Sequence, residues 1–212
     1  MKKIVITLLC ICIVGCGTVP SVRPIGTGEK SVTLSSGGPV TEIYDITMPI
    51  PYSVLRYRQG INDNTDFHLG IHTTMAILGN LGVDFGLTKQ ITEQSGWKPS
   101  FAVEGSIYGF YHFNEFSSIR AYPEISFIGS YNIWDNRIMY FGVQNMIQFT
   151  EPYIVTAPFI GFELPFGNHF ILNLETKWYG PSEESEDRVV DYNYKPFGYG
   201  ALGFVWGASY KF

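Results

Sequence analysis

The sequence predicts an all-β protein whose main domain is an antiparallel, up-and-down transmembrane β-barrel of about 10 strands. Two observations predict this fold. From about residue 30 to the C-terminus, apolar and polar residues alternate with a period of two, and no window carries a helical period. Many of the alternating segments are also about 12 residues long, whereas strands of globular proteins average about 5–6 residues. Strands of that length can cross a bilayer at a tilt.

The elements follow in order along the chain. The predicted strands are about 30–36, 53–60, 65–77, 81–89, 100–113, 118–133, 138–149, 154–166, 169–180 and 199–212. Two long connections, 37–52 and 181–198, fall on one side of such a barrel, and mostly short connections fall on the other. Long outer loops and short periplasmic turns are the asymmetry expected of bacterial outer-membrane barrels.

The N-terminus is typical of an export signal. Lys2 and Lys3 precede a short apolar stretch that ends in Ile13-Val14-Gly15-Cys16. This tetrapeptide resembles the lipobox of bacterial lipoproteins. The resemblance implies a signal peptide at 1–15, processing by the lipoprotein machinery, and covalent acyl chains such as palmitate on Cys16. Residues 16–29 are rich in Gly, Pro, Ser and Thr and predict a lipidated, flexible tether before the barrel domain at 30–212.

The polar face of the predicted strands carries charges of both signs. In a membrane barrel this face lines the lumen, where opposite charges can pair and fill a narrow interior. The predicted lumen polar network consists of Arg56, Arg58, Asp66, His68, His72, Asp84, Glu104, Arg120, Glu124, Glu163, Glu175 and Lys177. The whole chain carries a net charge of −5 and no basic tract, so nucleic acid is not an expected partner.

The last strand supports membrane insertion. Aromatic residues recur at two-residue steps toward the end of the chain and finish with Tyr210 and Phe212. This resembles the C-terminal signal of outer-membrane proteins, which implies recognition by the outer-membrane insertion machinery. Together with the lipobox, it predicts a Gram-negative outer-membrane location, lipid-anchored and integral, with membrane lipid as a partner.

Candidate catalytic and metal-binding groups are few. His68 and His72 stand four residues apart on one strand, about 13 Å in extended backbone, so they are predicted to be structural rather than ligands of one metal. His112 with Glu124 resembles the lipid A deacylases, but that family's nucleophile position is Asn114 here, and the spacing of Ser117 and Ser118 does not fit. No phosphate loop, nucleophile elbow or cysteine cluster occurs. No cofactor or metal is expected, and an enzyme is not predicted.

Several functions fit this pattern. The favoured prediction is an outer-membrane barrel lipoprotein of structural, interaction or small-channel type. The alternative is a lipid-anchored soluble barrel of lipocalin type, in which the apolar face would enclose an apolar ligand. A lipid-modifying enzyme is less favoured. The sequence leaves all three open.

Overall fold

The computed structural model describes residues 18–43, 46–112, 119–134, 136–184 and 194–212. These residues form eleven strands, a short helix and a 3-10 turn. The strands are β1 (Lys30–Ile43), β2 (Ile46–Pro49), β3 (Tyr52–Asn62), β4 (Thr65–His72), β5 (Asn80–Thr92), β6 (Ser100–His112), β7 (Arg120–Trp134), β8 (Arg137–Ile147), β9 (Ile154–Phe166), β10 (Phe170–Glu184) and β11 (Tyr199–Lys211). The helix α1 spans Thr73–Ile77, and the 3-10 turn spans Pro196–Gly198.

Ten of these strands close into one antiparallel barrel. Strands β3 to β11 pair in sequence order, and β1 lies between β3 and β11. The closing pair joins the two ends of the barrel domain, because Ser31 of β1 lies opposite Lys211 of β11. Strand β2 stands outside this ring and forms a hairpin with the far end of β1. The predicted antiparallel barrel of about 10 strands is confirmed.

Burial alternates along the strands, and it shows which face points inward. On β5, Leu81, Val83, Phe85 and Leu87 are each at least 40% exposed, whereas the intervening Asp84 is 2% exposed. The same holds around the barrel, where large apolar side chains cover the outside and charged side chains lie inside. This polarity is the reverse of that in a lipocalin-type barrel, whose apolar face points inward.

Two local elements differ from the prediction. The alternation of 65–77 predicts one continuous strand, but β4 ends at His72 and α1 follows. The hydroxyls of Thr73 and Thr74 bond to Ser53 of β3 and so hold the helical turn over the barrel end. Strand β2 falls within a predicted loop.

Neither described helix is long and apolar enough to cross a membrane.

The N-terminal segment also differs. The composition of 16–29 predicts a flexible tether, but the described residues 18–29, here called the lumen segment, run along the inside of the barrel. Thr18, Ser21 and Val22 are 5% exposed or less. The segment leaves the lumen at one end, where Gly28 N donates to the carbonyl of Gly60 at 3.1 Å, and continues into β1.

Candidate functional site in the barrel lumen

The centre of the charged lumen is the Asp84 carboxylate. The Nη2 group of Arg56 lies 2.8 Å from Asp84 Oδ1. His68 Nε2 lies 3.2 Å from the same oxygen, and His72 Nε2 lies 3.1 Å from Oδ2. Strand register explains the cluster, since Gly70 of β4 lies directly between Arg56 of β3 and Asp84 of β5. One carboxylate therefore joins the two histidines that are too far apart for direct contact.

The contacts of His72 identify its donor and acceptor atoms. Tyr52 Oη lies 2.5 Å from His72 Nδ1. When Nε2–H donates to Asp84, Nδ1 is the acceptor in neutral imidazole and the Tyr52 hydroxyl is the donor. On the other side of Asp84, the Ser106 hydroxyl lies 3.4 Å from His68 Nε2, the atom that also contacts the carboxylate. Within the described residues, no group of three or more histidine, cysteine or carboxylate side chains is arranged to hold a metal ion.

Gly70 makes room for this cluster, and a substitution there gives the first prediction. A Cβ on Gly70 would lie 1.9 Å from Asp84 Oδ2, so the carboxylate would have to move away from its partners. We expect Gly70→Ala to destabilise the barrel by about 1–3 kcal/mol, as overpacking of a buried site does. The measurement is urea unfolding of protein in lipid vesicles, followed by tryptophan fluorescence.

The control for this prediction is Gly105→Ala. Gly105 lies on the outward face of β6, and nothing lies within 4 Å of a Cβ placed there. The expected midpoint for Gly105→Ala is that of the unsubstituted chain or slightly higher. Equal losses in the two variants would mean that the space at Gly70 is not what limits the substitution.

A second charged group lies beside the first. Arg58 of β3 pairs with Asp66 of β4, with Nη2 2.5 Å from Oδ2. Arg56 also approaches Glu104 of β6, with Nη1 3.8 Å from Oε1. These side chains are buried except Arg58, whose side chain is 13% exposed. The wall formed by β3 to β6 is therefore a continuous strip of paired charges.

A third group lies across the lumen on β10. Lys177 Nζ contacts Glu175 Oε1 at 3.0 Å and donates to Gln144 Oε1 at 2.8 Å. Glu124 of β7 accepts a bond of 3.1 Å from the hydroxyl of Tyr108. Glu124, Glu175 and Lys177 are all buried. Gln144 and Tyr108 were missed by an analysis of charges alone, although both lie on the inward face by the period of their strands.

The other predicted residues lie apart from this buried network. Arg120 has the inward parity of β7, but it is exposed at the beginning of the strand and lies apart from the buried charges. Glu163 is half-buried and accepts a weak bond of 3.4 Å from Asn173 Nδ2. His112 Nδ1 lies 3.2 Å from the carbonyl oxygen of Gly79, so His112 and Glu124 bond different partners. Cys16, Asn114, Ser117 and Ser118 lie outside the described residues.

The lumen segment is held through its backbone by these same charged side chains. Five wall side chains make these bonds, and they come from four strands, β3, β4, β6 and β10. The contacts are Lys177 Nζ to Thr18 O at 2.9 Å, Arg56 Nη1 to Val19 O at 3.3 Å, Ser21 N to Glu104 Oε2 at 2.6 Å, Arg58 Nη2 to Arg23 O, and Ile25 N to Asp66 Oδ2 at 3.1 Å. Hydrogen bonds to charged groups are each worth about 1.5–3 kcal/mol.

Two side chains of the segment also occupy defined positions. Val22 is 2% exposed and packs into an apolar pocket of the opposite wall. The pocket is formed by Ala102, Ile128, Ile138, Tyr140 and Phe159. Arg23 donates to Ser130 Oγ and Asn132 Oδ1, both at 2.8 Å, and to Gln94 Oε1 at 3.4 Å. Arg23 could not be identified from the sequence, because a single cation in a Gly- and Pro-rich stretch belongs to no alternating or repeated pattern.

An apolar cluster fills the lumen toward its other end. Its buried members come from β3, α1, β6 and β8, and β3 and β8 lie on opposite sides of the ring. They are Tyr52, Val54, Met75, Tyr108, Phe110 and Met146. Between the lumen segment and the wall of β1, β10 and β11, a cavity of about 190 Å³ remains, lined partly by the hydroxyls of Ser31, Thr33 and Ser209. The lumen is therefore obstructed at two levels.

Comparison with known proteins gives the fold class. No protein-family model matches the chain, and no curated protein matches it. Among solved structures, the COG4313 outer membrane channel from Pseudomonas putida F1 matches with a TM-score of 0.50 and 10% identity over 92% of this chain and 100% of that one. Weaker matches are the CymD monoaromatic hydrocarbon channel (TM-score 0.39, 9% identity, 88% of each chain) and OprG from Pseudomonas aeruginosa (TM-score 0.35, 10% identity, 91% and 99%). The chain has the fold of an outer-membrane β-barrel.

Proposed function

We propose that this protein is a narrow outer-membrane channel held closed by two barriers in series, the lumen segment and the apolar cluster. The observation that carries the proposal is the seating of residues 18–25 inside a closed barrel by buried charged side chains. A wall needed only as a scaffold does not require its cations and carboxylates to bond the backbone of a segment inside the lumen. The apolar cluster fits a second barrier, because apolar constrictions block ions by dewetting.

The outer surface supports the membrane location. An apolar exterior around a charged interior suits a barrel surrounded by lipid. The structurally similar COG4313 protein is itself an outer membrane channel, although at 10% identity this likeness concerns the fold alone.

Single-channel conductance in planar lipid bilayers tests the proposal. Arg23→Ala removes three bonds of the lumen segment, and Phe110→Ala shortens a member of the apolar cluster. Since the barriers act in series, each single variant is expected to conduct little more than the unsubstituted chain. The double variant should show at least about tenfold more open time, the effect of weakening the closed state by about 1.4 kcal/mol or more.

The matched control is the double variant Arg137→Ala and Phe149→Ala. Both residues are exposed, Phe149 at 75%, and neither belongs to a barrier. It should conduct like the unsubstituted chain. A folded Arg23→Ala and Phe110→Ala protein that stays closed would reject the channel and leave a structural or interaction barrel.

We also propose that Cys16 is acylated, because Ile13-Val14-Gly15-Cys16 follows a short apolar stretch with two lysines before it. Mass spectrometry of the N-terminal peptide from an outer-membrane fraction tests this. Diacylglyceryl and acyl groups on Cys16 are expected, and Cys16→Ala should lack them. An unmodified mature N-terminus at another residue would reject the lipoprotein assignment.

A further inference from the structure

We infer that the lumen contains a binding site for an extended peptide, and that residues 18–25 occupy it as a tethered ligand. The site takes peptides with a small aliphatic residue followed by arginine, as in Val22-Arg23. This inference concerns binding, and it stands whether or not the barrel conducts ions.

The charged wall binds the main chain of the segment. Five charged wall side chains bond main-chain atoms of the segment, three carbonyl oxygens and two N–H groups. Such contacts do not depend on the identity of the peptide's side chains. Any extended chain that presents donors and acceptors at this spacing could make them, as in other sites that bind peptides through main-chain hydrogen bonds.

Two subsites of the wall select the side chains of Val22 and Arg23. The apolar pocket of β6 to β9 encloses Val22, and it adjoins the charged wall at β6, which carries both Ala102 and Glu104. Next to it, Ser130, Asn132 and Gln94 present three oxygen atoms to the guanidinium of Arg23. The planar guanidinium of arginine carries five donors and can reach all three oxygen atoms at once. The ammonium of lysine is a compact charge with three donors and fits this arrangement less well.

Most of the wall charges that bond the segment also have an ion-pair partner within the wall. Arg56 pairs with Asp84, Arg58 with Asp66, and Lys177 with Glu175. Four of the five side chains that bond the segment are therefore already in ion pairs within the wall, and the fifth, Glu104, lies 3.8 Å from Arg56. An intramolecular ligand also benefits from an effective concentration of about millimolar for a short flexible linker, so its own affinity can be modest. The ion pairs within the wall and the modest affinity of the tethered segment both permit the segment to be replaced by a separate peptide.

The test uses the full chain with its own segment weakened by Val22→Asp and Arg23→Ala, refolded in detergent micelles. The probe is a fluorescein-labelled synthetic peptide of residues 17–27, GTVPSVRPIGT. Fluorescence anisotropy should show saturable binding. The same peptide with Arg23→Ala should bind at least about tenfold more weakly, because three hydrogen bonds are lost. A scrambled peptide should not bind.

The matched receptor control is Arg137→Ala, in which the segment stays seated. It should bind the peptide at least about tenfold more weakly than the weakened chain, because the tethered ligand competes. A weakened chain that is folded, by circular dichroism, and binds no peptide would overturn the inference. Equal binding of the scrambled peptide would also overturn it. Neither result depends on conductance.

A second measurement covers the case in which the weakened chain does not fold. A Cβ on Gly207 would lie 2.9 Å from Cγ2 of Val19. In an otherwise unsubstituted chain with Cys10, Cys12 and Cys16 replaced by serine, Gly207→Cys should form a disulfide with a peptide carrying Val19→Cys. Ala208→Cys is the control, because Ala208 is exposed on the outward face of β11. With the peptide above about 1 mM, so that it competes with the tethered segment, absence of a cross-link at position 207 or equal cross-linking at position 208 would overturn the inference.

Discussion

Replacement of Asp84 by asparagine should lower the stability of the barrel by about 3–5 kcal/mol, the usual consequence of removing one partner from a buried charge pair. Asp84 is 2% exposed and contacts three donors, Arg56, His68 and His72. In Asp84→Asn, the remaining anion near Arg56 is Glu104 at 3.8 Å, and the amide nitrogen faces other donors. Guanidinium-induced unfolding in lipid vesicles measures the change.

Two further variants identify the cause of this loss. Asp63→Asn is the control, since Asp63 lies in the exposed turn between β3 and β4 and bonds to Thr27. Its midpoint should remain close to that of the unsubstituted chain. Arg56→Met in the Asp84→Asn background should recover part of the stability, because it removes the unpaired cation. If Asp84→Asn unfolds at the same denaturant concentration as Asp63→Asn, the cluster does not hold the lumen together.

Much of the wall could be predicted from the sequence because the signal is local. Alternation along β5 fixes both the strand and the side on which Asp84 lies. Arg56, Arg58, Asp66 and Lys177 were likewise predicted to face inward, and the structure buries or nearly buries each of them. The register between strands brings them into contact, and no local pattern reports it. Arg120 shows the limit, since period two gives the face but not the depth at which a side chain lies.

The lumen segment could not be predicted, because what orders it is distant in sequence. Ser21 bonds to a residue 83 positions away, and Thr18 bonds to one 159 positions away. Locally, residues 18–29 have the composition of a linker.

Helix α1 was missed because the local pattern predicts a strand there. Its alternation continues that of β4, and contacts with Ser53 override it.

Substitution of Phe85 by arginine should destabilise the protein by about 2–4 kcal/mol in lipid vesicles, the range for arginine at the bilayer midplane on the lipid-facing side of a barrel. Phe85 is 46% exposed on β5, between Leu81 and Lys89. Lys89 is exposed on the same face and marks a position at which a charge is already tolerated. The measurement is the midpoint of urea unfolding from vesicles of defined thickness.

Ile91→Arg is the matched control, because Ile91 lies beyond Lys89 toward the end of the strand and is 58% exposed. Near the membrane interface, a lipid-facing arginine lowers the stability of a barrel by only about 0–1 kcal/mol. From Leu81 to Lys89 the strand advances about 26 Å along its own axis, which at a tilt of about 40° is about 20 Å along the bilayer normal and covers most of an apolar band of about 25 Å. The two positions therefore sample the middle and the edge of the band. Equal midpoints for Phe85→Arg and Ile91→Arg would show that Phe85 faces water rather than lipid. On a surface exposed to water, the loss of stability caused by arginine does not depend on the position along the strand.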